Sequence, residues 1–209
     1  TVRANMHPGH TNPDAIGPSG PSDPALTLLA LQSPEGKPLA VLANFSMHYF
    51  SGVEALNYDY FGLFCEGLQS RLGKSEAGRP PFVTLMSHGC SGDIWRRDYR
   101  KPAPKPGEEP NIEGYANQLA DIASAACGNI AHSADATIAM AETRIPMRYR
   151  VPDMQRLEWA QRIVAAMGDR LPKTQPEIYA REQVMLHERQ STDVVVQALR
   201  IGDMVITTT

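Results

Sequence analysis

Apolar positions along the chain fall into short alternating or continuous runs separated by longer stretches of helical spacing. Residues 26–32 and 39–46 read as strands, and Ser33-Pro34-Glu35-Gly36-Lys37 between them suits a hairpin turn. The second run is almost wholly apolar, which predicts a strand buried on both faces. Phe61, Phe64, Cys65, Leu68 and Leu72 recur at helical spacing, with Gly73 as the stop. Residues 82–87 give a third buried strand that runs into His88-Gly89-Cys90-Ser91-Gly92-Asp93.

Ile112, Tyr115, Leu119, Ile122, Ala126 and Ile130 mark an amphipathic helix with Asn111 as its cap. Residues 136–150 alternate like a strand, and Pro146 restricts that strand to an edge or a bulge. A helix follows Pro152-Asp153 and ends at Gly168, and a further one covers 177–189. Residues 192–200 and 204–208 form a closing hairpin about Gly202-Asp203. The order β-β-α-β-α-β-α-α-β-β predicts an α/β or α+β fold, a mixed sheet with helices packed on it. Residues 1–209 are expected to be a single domain, itself part of a larger catalytic domain.

Composition narrows the picture modestly. With 209 residues, 42% hydrophobic and 21% charged, the chain can bury a sizeable core. A net charge of -3 gives no general attraction to nucleic acid, and no apolar run is long enough to cross a membrane. Cys65, Cys90 and Cys127 form no CxxC pair and read as buried free thiols. The first 25 residues are rich in Pro, Gly, Asn and Asp and predict an irregular entry loop. Residues 101–110 carry four prolines and predict a surface loop able to act as a lid.

The chemistry concentrates where strands end. In open α/β sheets ligands bind beyond the carboxyl ends of strands, where loops diverge. Residues 40–48 place His48 at such an end, shortly before Asn57-Tyr58-Asp59-Tyr60-Phe61-Gly62. His48 is either a metal ligand or a core histidine bonded to a nearby carbonyl, and Asp59 either orients it or caps the following helix. His88 and Asp93 are candidate acid/base groups. Ser91 or Cys90 would need His88 to serve as a nucleophile, and the G-x-S-x-G elbow is not met because Asp93 stands at the second glycine position. His7 and His10 read as a solvated loop pair, and His132 and His187 as helix C-terminal residues favoured by the dipole. Arg96-Arg97 with Arg100-Lys101 either binds an anion or forms a solvated charged face.

Asn12-Pro13, Asp23-Pro24, the strand ending in His48, Asp59-x-x-Gly62 and Gly92-Asp93-Ile94 follow the order and spacing of the neutral/alkaline non-lysosomal ceramidases, and the chain resembles their N-terminal zinc amidase domain. The resemblance covers about the first hundred residues and the closing hairpin. It implies that His48 is one zinc ligand, that the other ligands lie outside this chain, and that Asp59 and Gly62 shape the loop around the metal. It also implies export to the periplasm or the outside of the cell, and a small-molecule or lipid-like substrate.

The family's G-D-V-S-P-N reads here Gly92-Asp93-Ile94-Trp95-Arg96-Arg97. Trp95 thus occupies the serine position, and an indole is neither a nucleophile nor a base. The resulting expectation is a zinc-dependent amide or ester hydrolase that lacks the family's serine, with His88 or Asp93 as acid/base and Trp95 and Arg96 as substrate contacts. The alternative is a noncatalytic ligand- or glycan-binding domain on the same scaffold.

Overall fold

The computed structural model describes residues 4–5, 7–50, 52–73, 80–134 and 136–209. It is a mixed α/β structure of six strands and four helices among the described residues, in the predicted order. The strands divide between two three-stranded sheets, and the chain divides after Ala134 into two compact units.

The first unit contains β1 (Leu26–Gln32), β2 (Pro38–Phe45), α1 (Asp59–Leu72), β3 (Val83–His88) and α2 (Ile112–Cys127). β1 and β2 form the expected antiparallel hairpin, its turn closed by Ser33 N–H donating to the Lys37 carbonyl at 2.8 Å. β2 and β3 are parallel and joined by a crossover through α1, so both strands end at the same edge of the sheet. Phe45 pairs with His88 at that edge, which explains how two histidines forty residues apart become neighbours in the fold.

One face of this sheet carries the core. Val41 and Ala43 of β2 pack with Tyr60, Phe64 and Leu68, which are one helical turn apart on α1 and fully buried. α2 completes the layer with Ala116, Ala120 and Ala123. Small residues are needed there because a Cβ on Gly67 of α1 would lie 3.3 Å from the Ala120 Cβ. Asn111 caps α2 through Gly114 N–H at 2.8 Å, as the sequence predicts.

The strands are less buried than their composition suggests. β2 buries only the face that carries Val41 and Ala43, and β3 is an edge strand that leaves Val83 and Leu85 exposed. Apolar runs report β propensity as well as burial, so they do not reveal which strand lies at an edge.

The second unit contains β4 (Ile138–Arg148), α3 (Met154–Met167), α4 (Gln175–Arg189), β5 (Ser191–Ile201) and β6 (Met204–Thr208). Its sheet is antiparallel in the order β4-β5-β6, and Pro146 lies on an edge strand as expected. α3 packs against α4, and Leu157, Ala160 and Met167 of α3 and Ala180 of α4 are buried. Thr174 and Glu177 form a capping box at the start of α4. No helix among the described residues is long and apolar enough to cross a membrane.

Candidate functional site at the ends of β2 and β3

His48 sits three residues past the end of β2, and the backbone around it is pinned on both sides. The Met47 carbonyl accepts two hydrogen bonds, from the Tyr60 hydroxyl at 2.8 Å and from His88 Nε2 at 3.0 Å. His48 N–H donates to the Ile94 carbonyl at 3.1 Å. Phe50 N–H donates to both Asp59 oxygens, at 3.0 and 3.1 Å. Four donors or acceptors from α1, β3 and the loop after β3 therefore hold residues 47–50. Tyr60 is fully buried, and burial raises its hydroxyl far above the ordinary tyrosine range, so it remains a donor.

The His48 ring is partly exposed. Its Nδ1 lies 3.2 Å from the Tyr49 carbonyl, a contact that places the proton on Nδ1. Nε2 is then left as the lone-pair nitrogen, with no partner among the described residues. A carbonyl-oriented imidazole with a free nitrogen is the form that metal-ligating histidines take. His48 thus fits one position of a zinc site, while the described residues bring together no group of three His, Cys, Asp or Glu able to hold an ion.

Asp59 is buried, and its backbone is left-handed, with φ 55°. Besides Phe50, its Oδ1 accepts from Tyr60 N–H at 2.7 Å, while its own N–H donates to Asn57 Oδ1 at 2.6 Å. Asp59 acts on His48 through the backbone at Phe50, and its oxygens bond amides, not the imidazole. Gly62 has a local reason of its own, because the Tyr58 ring covers its Cα and an added Cβ would collide with that ring.

His88 presents Nε2 to two oxygens, the Met47 carbonyl and the Ser91 hydroxyl. The carbonyl can only accept, so Nε2 carries the proton, and the buried Ser91 Oγ faces a donor where a nucleophile would need a base. The exposed His88 ring, edge-on to Phe61 at 5.0 Å, keeps Nδ1 as its basic nitrogen. Asp93 is exposed on the loop that follows. Cys90 is exposed too, contrary to the expectation of a buried thiol, because it lies on the turn leaving β3. Cys65 and Cys127 are partly buried, and burial raises both thiols.

The loop after β3 brings Trp95 and Arg96 to His48. Trp95 stands edge-on to His48 at 5.6 Å and to His7 at 6.0 Å. The Arg96 guanidinium carbon lies 4.5 Å from the Trp95 ring centre and 4.3 Å from that of Phe50.

His7 and His10 are not simply solvated. His7 Nδ1 is 2.7 Å from the Tyr99 hydroxyl, His10 Nδ1 is 2.9 Å from the Lys101 carbonyl, and Thr11 N–H donates to the Tyr99 carbonyl at 2.9 Å. These contacts tie the entry loop to residues 95–101. Sequence reasoning missed Tyr60, Tyr99 and Phe50, whose roles depend on contacts between distant segments. The proline-rich loop is anchored by Glu109, which bonds Arg97 at 2.8 and 3.0 Å. It borders a hollow lined by His10, Arg97, Pro104 and Lys105. His132 is exposed beyond the end of α2, and His187 lies in the last turn of α4.

No family model and no curated protein matches the chain. Among solved structures it is similar to the neutral ceramidase from Pseudomonas aeruginosa, with 15% identity and a TM-score of 0.48. The match covers 86% of this chain and 33% of that one, so the chain spans about a third of the ceramidase's length.

Proposed function

We propose that the edge formed by the ends of β2 and β3 is part of the active site of a zinc-dependent hydrolase acting on an amide or ester bond. The observation that supports this most is the presentation of His48: pinned backbone on both sides, Nδ1 on a carbonyl, Nε2 free. His48 Nε2 would hold the metal together with ligands from outside the described residues. A zinc ion there would supply Lewis acidity towards the substrate carbonyl or a water.

The remaining chemistry belongs to groups of this chain. His88 would take and return a proton at Nδ1, because Nε2–H is committed to Met47. Asp93, exposed on the same loop, would share that acid/base role or contact substrate. Trp95, in place of a serine, would form a wall of the site together with Arg96. Tyr49, Val53, Leu56 and Tyr58 are exposed around the loop after His48, and this apolar rim suits a substrate with a lipid-like part. Export to the periplasm or the cell exterior belongs to the same proposal.

The test is metal analysis of the purified protein together with hydrolysis of a panel of amides and esters, with and without a chelator. Bound zinc and chelator-sensitive turnover, both lost in His48→Ala, are the expected results. Metal-free protein whose turnover survives chelation and His48→Ala would refute the proposal. The stacking of Arg96 between Phe50 and Trp95 favours one second reading, a noncatalytic ligand-binding domain. Ligand binding without any turnover on the panel would select it.

A further inference from the structure

The cations of residues 96–101 are not equivalent. Arg97 is bonded to both oxygens of Glu109, Arg100 pairs with Asp98 at 2.8 Å, and Lys101 reaches Asp98 at 4.0 Å. Arg96 has no carboxylate partner among the described residues. Its Nε and Nη1 are buried without a hydrogen bond, held between the faces of Phe50 and Trp95. A guanidinium cannot give up its charge at ordinary pH, and although Arg96 as a residue is only partly buried, these two nitrogens are cut off from water with unused donors, which an anionic oxygen would satisfy. Glu109, the carboxylate that acts on Arg96 electrostatically, already bonds Arg97 with both oxygens.

We propose that Arg96 is the anion-recognising element of this site and takes an anionic oxygen group of the substrate: a carboxylate, a phosphate or a sulfate. The inference rests on the reading of this edge as a substrate site and names the chemical class that it selects. The two walls of the sandwich differ in a way that sets the route of entry. Phe50 is buried and its amide is fixed by Asp59, whereas Trp95 is partly exposed on a loop. The anion enters from the Trp95 side, and the ring moves off the guanidinium as charge-assisted bonds replace its cation–π contact. Trp95 therefore reports occupancy.

The chain has two tryptophans, and the other, Trp159, stacks on Arg156 in the second unit. In a Trp159→Phe background, Trp95 emission is titrated with sodium acetate, phosphate and sulfate at constant ionic strength set by chloride. A saturable change with at least one of these anions is expected, and the anion that gives it identifies the group. Arg96→Met should abolish the response. Arg96→Lys should weaken it about tenfold, because an ammonium bonds as a point charge, not as a planar fork. Arg100→Met, which removes an equal charge nearby, should leave it unchanged.

No saturable response to any of the three anions, or a response undiminished in Arg96→Met or Arg96→Lys, overturns the proposal. The titration needs neither metal nor turnover. Anion binding without chelator-sensitive hydrolysis therefore removes the hydrolase and keeps this subsite, and the converse result does the reverse.

Discussion

Removing the Asp59 carboxylate should unfasten His48 at a cost that the geometry sets. Asp59 Oδ1 alone accepts from both Phe50 N–H and Tyr60 N–H, at 3.0 and 2.7 Å, while Oδ2 adds a contact of 3.1 Å to Phe50. Asp59→Ala leaves two amides unpaired, at about 1–3 kcal/mol each. It also places a Cβ without a polar side chain at φ 55°, worth about 1 kcal/mol more. Allowing for water reaching the vacated space, the loss should be about 3–5 kcal/mol. Asp59→Asn keeps an oxygen in the Oδ1 position and tolerates the left-handed backbone, so it should cost only about 1 kcal/mol of charge assistance. Urea unfolding followed by Trp95 emission in a Trp159→Phe background measures both variants on the first unit. An alanine cost below about 1 kcal/mol, or an asparagine cost equal to that of alanine, would refute the view that Asp59 works by satisfying these two amides.

Three further outcomes follow from the same geometry. An added Cβ at Gly89 would collide with Ser46 Oγ and lie 3.1 Å from Asn44 Oδ1, so Gly89→Ala should lose about 1–3 kcal/mol. Gly92, with open space around it, should tolerate alanine within about 0.5 kcal/mol in the same urea unfolding assay, and equal losses at the two positions would contradict the packing. Iodoacetamide with mass-spectrometric readout should modify exposed Cys90 first, with Cys65 and Cys127 at least about tenfold slower because burial raises their thiols; equal rates for Cys65 and Cys90 would count against the placement of α1. Glu177 is held at about 2, chiefly by the Arg170 side chain and then by the Lys173 amide. A depressed carboxyl stabilises above its ordinary value and loses that contribution as pH falls, so the start of α4 should loosen between about pH 4.5 and 2. An NMR titration of the Lys173 and Thr174 amides with a midpoint near 4.5 would show that the ion pair does not form.

The elements were legible because each carries a local signal. Asn111 is a cap, Pro152-Asp153 opens a helix, Gly73 and Gly168 are stops, and the turn at 33–37 has its Pro and Gly, so the order of strands and helices follows from short-range chemistry. The position of His48 at a strand end was legible for the same reason. Sheet membership was not, since local periodicity says nothing about pairing partners. The strands fall into two separate sheets, and β3 proves to be an edge.

The site shows this limit most clearly. The sequence marks His48 as a ligand, His88 as an acid/base group and Asp59 as the carboxylate that orients His48 or caps the helix, yet Asp59 and His88 meet the His48 segment through main-chain groups, at Phe50 and Met47. A sequence names the side chain but not the carbonyl or amide it reaches, so positioning roles are invisible in it. Arg96 is the converse case. Its neighbours Arg97, Arg100 and Lys101 look the same in sequence, and only the placement of Glu109 and Asp98 shows which of the four has no carboxylate bonded to it among the described residues. The charged run is thus mostly a solvated face, as its composition suggests. The one member turned inward lies between Phe50, which Asp59 fixes beside His48, and Trp95, which touches the His48 ring. Any ligand that draws on Arg96 must therefore disturb a side chain in contact with His48, which couples recognition to the proposed metal ligand through Trp95.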